Sequence, residues 1–379
     1  MRNRGQHSAN ERHRNPPHGD PSWHLRLRDG SAEAHFHLMR IIRNKQVLGC
    51  LAASLVSLPL GAEEVLNIYS HRHYEVDQQV NRLFTEKTGI EVKVVNAEAD
   101  QLIERLKSEG ANSPADLLVT VDAGRMQRAR QDGLLQAVSS ETLAKATPAE
   151  LRDPDGFWYP YTLRARVIMV AADRVKPDEI KDYEDLAKPQ WRGRLLVRSS
   201  SNSSNQSLMA SIVSALGEEK ALAWAKGVAG NMARPPQGGD RDQIKACAAG
   251  LADVCISNTY YLGLLLNSPD PAERRAAAKM RVVFPNQDGR GAHVNVSAAG
   301  VVKHAKNVEN ARKYLEFLVS PEVQAMLAKG SHEHPVSMDT SLNPHHAKWG
   351  DFKIDTTTFP KMGEDQAKAQ RLFDAAGWK

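Results

Sequence analysis

Short apolar strands alternate with amphipathic helices along this 379-residue chain from Val65 onward. An apolar stripe at every third or fourth residue predicts a helix that ends at Gly89, and an alternating segment from Ile90 to Val95 predicts the strand after it. The same order recurs several times towards the C-terminus. Such alternation predicts an α/β fold with a mostly parallel sheet.

Two turn-rich segments interrupt this alternation, at Asp153–Gly156 and at Asp288–Gly291. The chain is long enough for two hydrophobic cores, so we interpret the interruptions as places where it crosses between two lobes. Two crossings predict a hinged clamshell with a cleft. The predicted first lobe comprises residues 63–163 and 289–337, and the predicted second lobe comprises residues 164–288 and 338–379.

The N-terminal segment has the order typical of a secretory signal peptide. A basic stretch after Met39 precedes an uncharged apolar stretch at residues 47–60, and small residues lead to Ala62. We predict a signal peptide at residues 39–62 and a disordered or untranslated extension at residues 1–38. A lipid anchor at Cys50 is disfavoured, because most of the apolar stretch follows this cysteine.

The distribution of charge excludes one class of function. The formal net charge of the chain is +5, and this excess lies in the first 45 residues. The exported part is formally neutral, so nothing in its composition favours nucleic-acid binding.

The sequence also lacks a nucleophile elbow, a zinc-protease motif and a phosphate-binding glycine loop, and therefore does not predict an enzyme. We predict that the histidines after His304 lie in a surface loop.

Tyrosines follow two of the predicted strands. Tyr260 and Tyr261 come after the buried segment 252–258, and His73-Tyr74 comes after the strand at 65–70. Ligands of open α/β sheets bind beyond the carboxyl ends of strands. Phenolates are hard anionic donors that, with an imidazole, favour a small, highly charged cation, and Fe(III) fits best. The alternative is that these residues are ordinary packing aromatics with a histidine at a helix start.

Two cysteines remain after the predicted cleavage site, Cys247 and Cys255. They flank the turn between a helix and the strand that leads to the tyrosine pair. Export permits a disulfide, but the separation of two Cα atoms cannot be deduced from sequence. A disulfide and two free buried thiols are therefore both open.

Several ordered motifs together resemble one protein family. The segments that carry the resemblance are Ile68–Tyr74, Ser113–Asp116, Arg164–Ile168, Asn258–Tyr261 and Phe284–Gln287. Over about Leu66 to Lys379 the chain is similar to the periplasmic ferric-ion-binding proteins of bacterial ABC importers, and most of all to their cyanobacterial-type branch. The resemblance implies a two-lobe clamshell of the type II periplasmic-binding-protein class that binds ferric iron and delivers it to an inner-membrane ABC permease.

The resemblance also implies roles for individual residues. Tyr74, Tyr260 and Tyr261 match the phenolate ligands of the family, and His73 matches a histidine that only some branches use. Where the cyanobacterial-type branch has a further tyrosine ligand, this sequence has Ser204. In other branches a serine at a comparable helix start holds an anion that completes the coordination of the metal.

The residues themselves also favour an anion near Ser204. A Ser/Asn-rich run opens a helix there, and free N–H groups at a helix N-terminus attract anions such as carbonate or citrate. Arg164 or Arg166 would add a charge-assisted contact. Simple helix capping by the serine, and salt-bridged arginines at a strand edge, are the alternatives.

The sequence thus predicts a monomeric periplasmic solute-binding protein. A relative of the same fold that binds thiamine, a polyamine or another organic solute is the alternative, and a static metal-storage protein is a further one.

Overall fold

The computed structural model describes residues 64–357 and 362–379. The predicted signal peptide and the segment before it lie outside these residues and stay predictions. The longer strands are rich in β-branched and aromatic residues, which favour extended backbone. Their bounds are β1 Val65–Ser70, β2 Glu91–Asn96, β3 Leu117–Thr120, β4 Leu135–Gln136, β5 Tyr159–Ala171, β6 Leu195–Leu196, β7 Val254–Asn258, β8 Met280–Val283, β9 Val294–Val302 and β10 His334–Pro335.

Helices connect most of these strands. Their bounds are α1 Glu75–Thr88, α2 Ala99–Glu109, α3 Ala123–Gln131, α4 Glu141–Ala146, α5 Ser203–Leu216, α6 Glu218–Asn231, α7 Asp240–Ala248, α8 Thr259–Leu266, α9 Pro271–Ala278, α10 Val308–Leu318, α11 Pro321–Gly330, α12 Pro344–Trp349 and α13 Met362–Ala376. Several of them start and stop where the sequence indicates: Gly89 ends α1 with a φ of 74°, and the side chain of Asp122 accepts a hydrogen bond from the Arg125 amide at the start of α3. No helix among the described residues is long and apolar enough to cross a membrane.

The strands follow the order β2-β1-β3-β9-β5-β7-β6, with β4, β8 and β10 attached at the sides. β5 changes partners along its length: Tyr159 to Ala165 pair with β9, whereas Arg166 to Val170 pair with β7. It therefore belongs to two groups of strands and crosses between them at Ala165 and Arg166. The boundaries of the two predicted lobes stay a prediction.

The expectation of a mostly parallel sheet is wrong. β1 is parallel to β2 and β3, and β6 is parallel to β7. β9, however, runs antiparallel to both β3 and β5, and β5 runs antiparallel to β7 and β8. β5 and β9 are fully buried strands that link the two groups. They do not belong to the repeated βα units from which the sequence predicted a parallel sheet. Because a fully buried strand has no polar alternation, periodicity could not give the direction of either.

Each group of strands has its own core. Leu66, Val80 and Phe84 belong to the core on the β1 side, and Trp191, Ile212 and Phe373 belong to the core on the β7 side. A third cluster, which includes Met126 and Leu163, contains residues of both groups. Cys247 and Cys255 are buried in that third cluster as free thiols. Of the two alternatives for this pair, the structure therefore has the free thiols and not the disulfide.

Candidate metal centre

The first predicted ligand pair follows β1. Tyr74 lies directly before α1, and its backbone amide donates a 2.9 Å hydrogen bond to Asp77 Oδ2. This contact satisfies one of the unpaired amides at the start of the helix and fixes the backbone of Tyr74. The phenol ring is half-buried, whereas the neighbouring His73 is exposed.

The second pair lies at the other group of strands. Tyr260 and Tyr261 occupy the first turn of α8, directly after β7, and their ring centroids are 4.1 Å apart. Tyr260 is buried and Tyr261 is half-buried. The sequence indicated only the end of a strand, but the first turn of a helix is a better position, because the helix dipole there favours a phenolate.

The structure brings both pairs to one cleft. This cavity has a volume of about 160 Å³. Its lining includes six of the predicted site residues, Arg164 among them, and five residues that were not predicted as part of the site. The full lining is His71, Arg72, His73, Tyr74, Val121, Arg164, Asn202, Ser203, Ser204, Tyr260 and Tyr261. Three phenols from two groups of strands therefore face one small volume.

The surroundings of Tyr74 and Tyr260 raise the pKa of both phenols and so favour their protonated form. Burial, together with Glu333, raises the pKa of Tyr74 to about 12, although Arg72 and Arg164 oppose the rise. Burial also raises the pKa of Tyr260 well above its usual value, and its closeness to Tyr74 and Tyr261 raises it further. A ligand that binds these two groups as phenolates must displace their protons.

The start of α5 faces the same cavity. Asn202 caps the helix by accepting a hydrogen bond from the Asn205 amide, and the first amides of any α-helix have no acceptor within it. Ser204 Oγ accepts a hydrogen bond of 3.3 Å from Asn258 Nδ2. The helix N-terminus and the serine hydroxyl together form a polar wall that suits an anion.

Arg164 adds a positive charge beside this wall. It is 6% exposed, and its Nη2 donates to the Val296 carbonyl at 3.2 Å. Its Nε has no hydrogen-bond partner among the described residues and lies 3.9 Å from Glu333 Oε1. The guanidinium thus retains donor capacity towards a bound anion.

The structure does not place Arg166 in the lining of the cleft, so its contact with an anion stays a prediction that this geometry does not support. One of its amino groups donates to Asp240 at 2.9 Å and to Asn258 at 3.0 Å, and the other donates to Asn205 at 2.6 Å. These bonds form a buried network behind the cleft wall. The residue lies after the point where β5 changes partners, and sequence could not show on which side of the strand its donors would be used.

The two histidines before Tyr74 differ in environment. His73 Nδ1 lies 3.4 Å from the His71 carbonyl, and the ring is exposed at the rim. His71 is half-buried, and its Nε2 lies 3.3 Å from Glu98 Oε2. Burial lowers the pKa of His71. Both imidazoles line the cavity, so the structure offers two nitrogen donors there.

The histidines near the C-terminus are not in a surface loop, as we had expected. His334 and His346 are fully buried and stacked, with ring centroids 3.9 Å apart. His334 Nε2 lies 3.2 Å from the hydroxyl of Thr259, the residue before the tyrosine pair.

Sequence reasoning also missed Arg72 and Glu333. They form a buried ion pair behind Tyr74, and nothing in their spacing indicated that they would meet. Within residues 64–357 and 362–379, no group of three or more histidine, cysteine or acidic side chains could hold a metal. Tyrosine oxygens are therefore the main donors that the candidate site offers.

The chain is similar to known proteins over most of its length. Residues 112–356 match the family described as bacterial extracellular solute-binding proteins. The chain is 52% identical over 319 residues to iron uptake protein A1 of Synechocystis, an alignment that covers 84% of this chain and 89% of that protein.

Two solved structures are similar over most of the chain. One is the Trichodesmium protein named IdiA or FutA in complex with iron and citrate, with a TM-score of 0.79, 48% identity and coverage of 83% of this chain and 100% of that one. The other is a ferric binding protein from Campylobacter jejuni, with a TM-score of 0.78, 41% identity and the same two coverages. The predicted two-lobe α/β fold is thereby confirmed, and the chain belongs to the bacterial extracellular solute-binding protein family, in the group that contains the ferric-iron-binding proteins.

Proposed function

We propose that this protein captures ferric iron in the cleft through the phenolate oxygens of Tyr74, Tyr260 and Tyr261. The observation that carries the proposal is the convergence of these three side chains, from two groups of strands, on one cavity of about 160 Å³. Phenolate is a hard anionic donor, and a site with several of them favours a small trivalent cation over softer metals. Three phenolates also balance the charge of Fe(III).

The names of the relatives support iron rather than an organic solute. Iron uptake protein A1 of Synechocystis and the major ferric iron-binding protein of Neisseria meningitidis are both similar to this chain over most of its length. A thiamine or polyamine binder would need an acidic, aromatic cleft for a cation. The cleft here has a buried arginine and a helix N-terminus instead.

We propose that a small anion completes the coordination of the iron. Three phenolates and at most one imidazole, from His73 or His71, leave an octahedral ion short of donors. The wall formed by the start of α5, Ser204 and Arg164 suits carbonate or citrate, because its amides, hydroxyl and guanidinium are all donors. The Trichodesmium relative was solved with iron and citrate, which supports the same arrangement here.

The biological role that we propose is delivery. An exported, monomeric binding protein in the periplasm would carry iron to an ABC permease of the inner membrane, with no chemical turnover. Membership of an extracellular solute-binding family supports export. The cleft between two groups of strands supports a clamshell that closes on its cargo, since a ligand stabilises the state in which it contacts both sides.

The experiment is iron loading of the purified protein and of three phenylalanine variants. The parent should develop the visible charge-transfer band of Fe(III)-phenolate, and Tyr260→Phe and Tyr261→Phe should each weaken it and lower ferric affinity. Tyr159→Phe is the matched control: Tyr159 is buried, its hydroxyl donates to the Val138 carbonyl, and it is not part of the cleft lining. Equal affinity in all four proteins would refute the assignment.

A further inference from the structure

A buried arginine, Arg72, lies directly behind the ring of Tyr74. Arg72 is 3% exposed, and its guanidinium carbon lies 4.7 Å from the centroid of the Tyr74 ring. Its Nε donates a 2.8 Å hydrogen bond to Asp77 Oδ1, and the other oxygen of that carboxylate accepts the Tyr74 amide. Arg72 thus contacts Tyr74 from two directions, through the ring and through Asp77.

The other end of the guanidinium reaches the long strands. Nη1 donates to Thr162 Oγ1 on β5 at 3.4 Å and to Ser297 Oγ on β9 at 2.9 Å. Thr162 and Ser297 are paired residues of the β5–β9 ladder, and Thr162 also pairs with Pro335 of β10. One nitrogen therefore contacts both strands of this row, β5 and β9. This row lies only a few residues before the point where β5 changes partners.

Glu333 closes the arrangement. Its Oε2 accepts hydrogen bonds from Arg72 and Thr162, and its Oε1 lies 3.9 Å from Arg164 Nε. The Glu333 side chain is fully buried. A buried ion pair contributes little net stability, because the loss of hydration offsets the attraction between the charges. We therefore interpret this ion pair as a contact that fixes the position of neighbouring segments, and not as a source of net folding stability.

We propose that Arg72 is a positioning residue for iron capture, which fixes the Tyr74 phenol by anchoring the segment between β1 and α1 to β5, β9 and Glu333. The inference rests on the proposed function, since it concerns the placement of a proposed ligand. Arg72 does not touch the metal. Its planar fork reaches Asp77 on one side and the strand row on the other, which a lysine ammonium cannot do.

The test compares Arg72→Lys with a matched control, Arg130→Lys. Arg130 also pairs with a buried carboxylate, Asp153, and its guanidinium also lies over a ring, 4.8 Å from the centroid of Phe157. It is not part of the cleft lining. Arg130 is half-buried, whereas Arg72 is buried, but both variants lose an arginine fork that pairs with a buried carboxylate. Only Arg72→Lys should affect Tyr74.

The first measurement uses iron-free protein, so it does not depend on the identity of the cargo. Hydrogen-deuterium exchange of peptides that cover residues 71–77 should be faster in Arg72→Lys than in the parent and in Arg130→Lys. Ser297→Ala removes one acceptor of Arg72 and leaves the ion pair, so it should have a smaller effect of the same sign. Unchanged exchange in this segment, in whichever of these two variants folds, would overturn the proposal.

The second measurement is ferric affinity by competition with a chelator. Arg72→Lys should lower it by about ten- to a hundredfold, the usual effect of a residue that orients a metal ligand. In a Tyr74→Phe background the same change should add less than about twofold, because two residues that act through one contact are not additive. An equal loss in both backgrounds would show that Arg72 does not act through Tyr74.

These results separate the two proposals. A parent protein with no ferric affinity and no phenolate band would refute the proposed function, while the exchange measurement would still decide whether Arg72 orders the segment. Normal iron binding with unchanged exchange and unchanged affinity in Arg72→Lys would refute the positioning role alone.

Discussion

Ferric affinity should rise steeply with pH, because iron must displace protons from phenols whose pKa is raised. The pKa of Tyr74 is about 12, so only about one molecule in 10⁵ has this phenol ionised at pH 7. Ionising it at that pH costs about 7 kcal/mol, at about 1.4 kcal/mol for each pH unit. The pKa of Tyr260 is also raised well above its usual value. Metal coordination must offset both costs.

The slope of affinity against pH counts these protons. Both groups are protonated over the whole range from pH 6 to 8, so each coordinated phenolate releases one proton on binding. The ferric affinity should therefore rise by a factor of at least about 100 for each pH unit, and fall by the same factor as the solution is acidified. Tyr74→Phe should reduce the slope by about one factor of ten for each unit, because one proton fewer is released.

The assay is competition against a chelator whose own pH-dependent iron affinity is known, repeated at several pH values between 6 and 8. Proton release on loading, measured in weak buffer, gives an independent count. Tyr159→Phe serves as the control and should retain the slope of the parent. An identical slope in the parent and in Tyr74→Phe would show that Tyr74 does not bind iron as a phenolate, and would refute the reasoning.

Three further predictions concern the anion, the closure of the cleft and acid stability. Ferric affinity of the parent should differ among carbonate, citrate and no added anion, and Ser204→Tyr should weaken this dependence by supplying an anionic donor; identical titrations of both proteins in all three conditions would contradict it. Small-angle scattering should give a smaller radius of gyration for the iron-loaded protein than for the iron-free protein, because the proposed ligands lie on two groups of strands; an unchanged radius would argue against closure. Burial lowers the pKa of His346 to about 4, below the unfolded value of about 6.5. Because the folded state then binds fewer protons, the free energy of unfolding should fall between about pH 6.5 and pH 4, by up to about 1.4 kcal/mol per pH unit for this group. Chemical denaturation should show a smaller loss of stability in His346→Gln than in the parent, and an equal loss would refute the contribution of His346.

Much of the fold was predictable from periodicity alone. α1 ends directly before Gly89, and β2 lies within one residue of the predicted strand from Ile90 to Val95, because an apolar stripe and an alternating segment are local patterns. The tyrosines were also predictable as candidates, since strand ends are where α/β proteins bind ligands and since tyrosine beside histidine has a distinct donor chemistry. Those are local properties of a chain.

The direction of the long strands was not predictable in the same way. β5 and β9 are buried on both faces, so their sequences have no polar alternation that reports a partner or a direction. The prediction of a mostly parallel sheet was wrong for this reason. The burial of the histidines near the C-terminus was missed for a related one, since whether a polar ring is covered depends on segments far away in the chain.

The sequence by itself determined the alternation of helices and strands and the chemical identity of the donors. Only the tertiary structure decided which donors meet. It places Tyr74, Tyr260 and Tyr261 around one cleft. It also places Arg164 at that cavity, whereas Arg166 forms a buried ion pair with Asp240. It also joins Arg72 to Glu333, which is 261 positions away in the chain. Spacing along a chain fixes which face of an element a residue occupies, but the distance between two elements depends on how their cores pack, and that is a property of the whole fold.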